Sequence, residues 1–121
     1  MTKTQITGLK TLIETKRREL VSEIHAQTNL IAINESEADP IDQIQSMTMR
    51  EETASQLGRR SRVLAEIERA LHAIYEGTYG FCIDCEEPIS LKRLETIPWA
   101  SRCIGCQQSM ERREAEHRMA A

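Results

Sequence analysis

Large side chains are scarce in this chain: its 121 residues include one Trp, one Phe and two Tyr, an aromatic fraction of 3%. Cores of β-sandwiches and of pocketed enzymes are normally filled by such residues, so both classes fit poorly. Breakers are few as well, with five Gly and three Pro. No run approaches the roughly 18 consecutive apolar residues of a membrane span, and the first ten residues, MTKTQITGLK, contain no apolar block of the kind a secretory signal carries. Nor is there an excess of basic charge: 16 Lys and Arg stand against 19 Asp and Glu, a formal charge of -3, which excludes a strongly basic nucleic-acid coat. What remains is a 29% charged chain rich in helix-forming residues, expected to be mainly α, cytoplasmic and without a membrane partner.

The few breakers leave two long uninterrupted stretches. From Thr4 to Asn34, Ile6, Leu9, Ile13, Leu20, Ile24, Leu30 and Ile31 recur mostly at steps of three, four or seven, one stripe of a helix. From Pro40 to Tyr75, Ile44, Met47, Ala54, Leu57, Leu64, Ile67, Leu71 and Ile74 form a second stripe. Helices of this length would each extend roughly 45–50 Å, and neither buries its stripe alone. The short connection Glu35–Asp39 makes an antiparallel helical hairpin, a two-helix coiled coil within one monomer, the natural solution. The competing solution is an intermolecular coiled coil.

After Tyr75 the character changes. Gly77, Gly80, Pro88 and Pro98 cut the chain, and all four aromatics and all four cysteines lie between residues 75 and 106, where a small module needs a core. From about Ile104 the residues favour a C-terminal helix. The organisation read from this is a hairpin over 1–75, its acidic tip near 35–42, followed by a compact module and helix over 76–121.

Cys82-Ile-Asp-Cys85 and Cys103-Ile-Gly-Cys106 are two C-x2-C pairs separated by seventeen residues. One tight turn offers two sulfurs to the same ion, and two such turns complete a tetrahedron of Zn–S bonds of about 2.3 Å. Four protein ligands leave no open position, so one structural Zn²⁺ is expected, supplying much of the module's folding free energy. Four cysteines also suit an iron–sulfur cluster. Two disulfides would suit a secreted mini-protein, and a redox C-x-x-C a βαβ context; neither setting is present. Glu86 follows the first pair where a glycine often eases the turn. His25, His72 and His117 lack metal-ligand spacing and read as helix-surface residues. With the cysteines given to metal, no catalytic constellation remains, and no enzyme is expected.

Glu35, Glu37, Asp39 and Asp42 are four acids without a base between residues 35 and 42. Asp39-Pro40-Ile41-Asp42 reads as an N-cap, a proline at the first helical position and a carboxylate facing the helix dipole. The same acids would also suit a hairpin point entering a narrow basic or metal-containing cavity, and the two readings are compatible.

Gly77-Thr78-Tyr79-Gly80-Phe81-Cys82, Ile89-Ser90-Leu91-Lys92-Arg93-Leu94-Glu95, Ile97-Pro98-Trp99-Ala100 and the closing Cys103-Ile-Gly-Cys106-Gln107 resemble the DksA/TraR zinc-finger family. The resemblance is dense over about 75–108 and looser over the hairpin. It implies a bacterial RNA polymerase-binding regulator of transcription that does not read DNA sequence and places a hairpin tip in the polymerase secondary channel. On that resemblance Asp39 and Asp42 are the tip acids, and Arg59 stands at a basic shaft position that would meet the channel rim. Two departures are visible. The family tip Asp-x-x-Asp-x-Ala has Ile44 in its last place, and the basic positions used for the alarmone ppGpp are here Glu66, Ile97 and Gln107, which implies a weak or absent response to it. Two rivals belong to other classes. One is a zinc-dependent nucleic-acid module using Lys92, Arg93, Arg102, Arg112 and Arg113; the other is a coiled-coil adaptor without polymerase activity.

Overall fold

The computed structural model describes the backbone of residues 1–34 and 40–120, with side chains described for 1–30 and 47–120. Four helices follow one another: α1 (Lys3–Asn34), α2 (Pro40–Glu76), α3 (Leu91–Thr96) and α4 (Ile104–Ala120). The protein is mainly helical, and the described residues contain a single isolated antiparallel bridge, Phe81 with Pro88. The second helix begins at the proline that the sequence placed at its first position.

Two compact units divide the chain: residues 14–65 form one, and residues 1–13 with 66–121 form the other. Within the first, α1 and α2 run antiparallel. Arg60 Nε meets Glu23 Oε2 at 3.0 Å, and one helical turn away Gln27 Nε2 donates to Gln56 Oε1 at 2.8 Å. These pairs share one register, because moving four residues forward on α1 means moving four back on α2. Leu20 is buried here, while Leu30 and Met47 are more than half exposed. The apolar stripe therefore thins toward the connection, and polar ties share the work of pairing the helices.

The other unit has the denser core. Ile13, Ile67, Leu94 and Cys82 are essentially inaccessible, with Leu9, Ala70, Tyr79, Ile89 and Ala100 around them. Full burial of an Ile or Leu side chain contributes about 1.5–3 kcal/mol each. Of the four aromatics only Tyr79 belongs to this core; Phe81 is 51% and Tyr75 88% exposed. The module is thus built on aliphatic residues drawn from α1, α2 and α3, rather than on the aromatics gathered in its sequence.

The end of α2 is closed by Gly77 at φ 81°. Its N–H donates to the Ile74 carbonyl at 3.3 Å, and the Thr78 N–H reaches the Ala73 carbonyl at 2.9 Å. This is the paired bonding of a Schellman cap, whose left-handed residue glycine adopts without a Cβ clash. It turns the chain out of α2 and into the first cysteine pair.

Candidate metal centre

Residues 80–89 fold back on themselves. The Ile89 N–H donates to the Gly80 carbonyl at 2.7 Å and the Cys82 N–H to the Glu87 carbonyl at 2.9 Å. Between these strand-like arms, Cys82 to Cys85 makes a knuckle closed by the Glu86 N–H on the Cys82 carbonyl at 3.0 Å. Glu86 lies at φ 63°, the only non-glycine in the left-handed region among the described residues. The place where glycine would ease the turn is therefore the place where the backbone requires it.

The second knuckle is the entry to α4. The Cys106 N–H points at Cys103 Sγ at 3.5 Å, and the Gln107 N–H donates to the Cys103 carbonyl at 2.9 Å. All four sulfurs lie within 4.8 Å of one another, with Cys85 and Cys103 Sγ at 3.8 Å. A tetrahedron with bonds of about 2.3 Å has edges of about 3.8 Å, so the four thiols fit one zinc ion and leave no fifth position. Cys82 is buried and Cys85 exposed, so the centre lies at the surface with one ligand anchored in the core.

Proton affinities in the set diverge, governed by burial and by hydrogen bonds among the sulfurs and from the backbone. Burial raises the Cys82 thiol, but backbone N–H groups, led by that of Cys85, outweigh it and bring the pKa down to about 6. Cys106 is pushed up to about 12, chiefly because its thiol donates to the Cys103 sulfur. Cys85 is also raised: the Glu87 N–H pulls it down, but the neighbouring Cys82 and Cys103 sulfurs and burial prevail. One sulfur gives up its proton readily while others retain theirs, until a dication takes the protons' place.

Around the sulfurs are contacts that spacing alone does not reveal. Arg102 Nε donates to Asp84 Oδ2 at 2.7 Å, Arg93 Nε to the Arg102 carbonyl at 2.9 Å, and the Tyr79 hydroxyl to the Pro98 carbonyl at 2.7 Å. Helix α3 is held by Ser90, whose Oγ accepts from the Arg93 N–H at 3.2 Å. The sequence signal for α3 was a serine before Leu91 and Leu94, an N-cap ahead of a short apolar spacing.

Residues 77–112 match the family model of the prokaryotic dksA/traR C4-type zinc finger. Beyond the finger, the chain is 34% identical over 116 residues to the RNA polymerase-binding transcription factor DksA of Caulobacter vibrioides, covering 96% of this chain and 78% of that protein. The chain belongs to the DksA family. DksA of Buchnera aphidicola is 33% identical over 119 residues, with 96% and 78% covered. The structure of the transcription factor DksA2 from Pseudomonas aeruginosa superposes with a TM-score of 0.80 at 30% identity, over 95% of this chain and 89% of that one.

Asp39 lies outside the described residues; Asp42 and Ile44 fall on the α2 backbone, their side chains outside the described set. Arg59 is an exposed cation on α2 whose Nη1 donates to Ser55 Oγ at 2.9 Å. Glu66 accepts from the Ser101 hydroxyl at 2.9 Å, Gln107 donates to Glu111 at 2.9 Å, and Ile97 is half-buried. His25, His72 and His117 are exposed; His72 meets Glu76 at 3.1 Å. Among the described residues no helix is long and apolar enough to cross a membrane.

Proposed function

We propose that this protein is a cytoplasmic, monomeric RNA polymerase-binding transcription regulator, not an enzyme, in which one structural zinc ion on Cys82, Cys85, Cys103 and Cys106 fixes the module adjoining the hairpin. The observation that carries the reading is the match at 34% identity to a polymerase-binding DksA over 96% of this chain. An isolated zinc knuckle would not require that extent. In this reading the hairpin enters the secondary channel, Asp39 and Asp42 act at its tip, Ile44 modifies that tip, and Arg59 meets the rim. Glu66, Ile97 and Gln107 supply no cation for ppGpp, so the alarmone has little influence through this protein.

The nucleic-acid rival is weakened by two of its own residues. Arg102 is neutralised by Asp84, and Arg93 is turned inward by its bond to the Arg102 carbonyl while keeping its charge, so the basic patch loses one charge of its five and the free reach of a second. The adaptor rival would need a dimer through the helical stripes, and the ties Arg60–Glu23 and Gln27–Gln56 between the two helices of one chain favour pairing within the chain instead.

The test is retention of RNA polymerase by the zinc-loaded protein, paired with in vitro transcription. Absence of binding at micromolar protein would overturn the reading. With binding present, Asp42→Asn should abolish the transcriptional effect while polymerase retention stays within about threefold, a change of less than 1 kcal/mol. Equal loss of both would reduce Asp42 to a helix-capping residue.

A further inference from the structure

Residues 101 and 102, just ahead of the second knuckle, reach three other parts of the module. The Ser101 hydroxyl donates to Glu66 on α2, and the Ser101 carbonyl accepts from the Ile83 N–H of the first knuckle at 2.9 Å. The Arg102 carbonyl accepts from Arg93 on α3, and the Arg102 guanidinium grips Asp84 at 2.7 Å. The first knuckle is thus tied twice to the chain entering the second, once through backbone and once through side chains. The side-chain tie has a particular position: Asp84 directly precedes Cys85, and Arg102 directly precedes Cys103. Those two cysteines are the ones whose sulfurs approach to 3.8 Å across the knuckles.

The pair is also well made. Its 2.7 Å separation is at the short end of the range for a charge-assisted N–H···O bond. The Arg102 side chain is only 18% exposed, against 38% for Asp84, so solvent screens it less than an open surface pair.

We propose that Arg102 and Asp84 form the outer latch of the zinc centre, positioning residues that hold the two knuckles together and so set how fast the ion leaves. Zinc loss from a closed four-sulfur site begins when one Zn–S bond opens and a knuckle swings away. Cys85 is exposed and is the place where a competing ligand enters. While the latch is closed, Cys85 and Cys103 stay within reach of the ion and rebind. With the latch broken, the Ile83–Ser101 backbone bond is the one remaining hydrogen bond between the first knuckle and the chain entering the second among the described residues.

The experiment times zinc release from the full-length, zinc-loaded protein at pH 7.5, using excess 4-(2-pyridylazo)resorcinol as the chromogenic acceptor. Arg102→Gln and Asp84→Asn should each speed release about tenfold or more, the range typical of contacts that orient metal ligands. The double variant should release no faster than the faster single one, since both remove the same contact. Arg102→Lys should recover part of the rate, because an ammonium still attracts the carboxylate. Ser101→Ala, which removes only the tie to Glu66, should leave release within about twofold of the parent. Release from both single variants within twofold of the parent, or additive effects in the double, would overturn the proposal. Asp84→Asn, isosteric and partly exposed, keeps the test decisive where Arg102→Gln loses helical content.

Discussion

Tyr79 shows how much one buried polar atom governs in a module this small. The residue is 6% exposed and its hydroxyl closes on the Pro98 carbonyl at 2.7 Å. Tyr79→Phe leaves that carbonyl buried without its donor and should cost about 1–2 kcal/mol in chemical denaturation at pH 7. Burial pushes the phenol up to about 12 from an ordinary 10.0. A raised acid pKa in the folded state means the folded form resists ionisation. The tyrosine's contribution is therefore intact below about pH 10 and lost as pH rises toward 12. Denaturation curves of the parent and Tyr79→Phe should converge over that window, and a constant difference would show that the phenol ionises alike in both states. Glu86 gives the opposite case. It occupies a left-handed conformation that costs a side-chain-bearing residue about 1–2 kcal/mol, partly offset because glycine is freer when unfolded. Glu86→Gly should stabilise the zinc-loaded protein by up to about 1 kcal/mol, and a lower melting midpoint would contradict the strain.

At the scale of elements, α3 is the piece most dependent on its cap. A six-residue helix makes few internal bonds, so the Ser90 side chain supplies a large share of its N-terminal satisfaction. Ser90→Ala should destabilise the protein by about 1 kcal/mol, and amide exchange should quicken first over Leu91–Thr96. Helices α1 and α2 were legible because each is long enough for its apolar period to show: the expected Thr4–Asn34 and Pro40–Tyr75 end within a residue of Lys3–Asn34 and Pro40–Glu76, whereas α4 showed only as helix-forming composition starting near Ile104. Helix α3 was not, since two leucines three apart in a segment with two flanking prolines establish no period. The four sulfur positions were readable from spacing, because a knuckle is a local turn. The Asp84–Arg102 pair joins residues eighteen apart, and Arg102 looked from sequence like one more surface cation. Leu30 and Met47 carried the periodicity of a buried stripe yet stand exposed: the pattern records which face points at the partner helix, not how completely that helix covers it.

Taken whole, the protein concentrates its metal, its densest core and its helix cap in the unit formed by residues 1–13 and 66–121. Metal loading should therefore be coupled to protons as well as to folding. Cys85 and Cys106 both hold their protons above the ordinary 9.0, so zinc binding at pH 7.5 should release at least two protons per ion, read by calorimetry in buffers of different ionisation enthalpy. Release near zero would mean the thiols were already ionised. Lowering the pH should weaken zinc binding, since protons and metal compete for the same sulfurs. The placement of the aromatics has an optical consequence. Trp99, Phe81, Tyr79 and Tyr75 all belong to the zinc-bearing unit, and residues 14–65 contain none. Intrinsic fluorescence and near-ultraviolet dichroism therefore observe only that unit, whereas far-ultraviolet dichroism, which follows helical backbone, also observes residues 14–65. Comparing the two signals through a melt needs no label, and it separates loosening of the paired helices from loss of the metal-bearing unit.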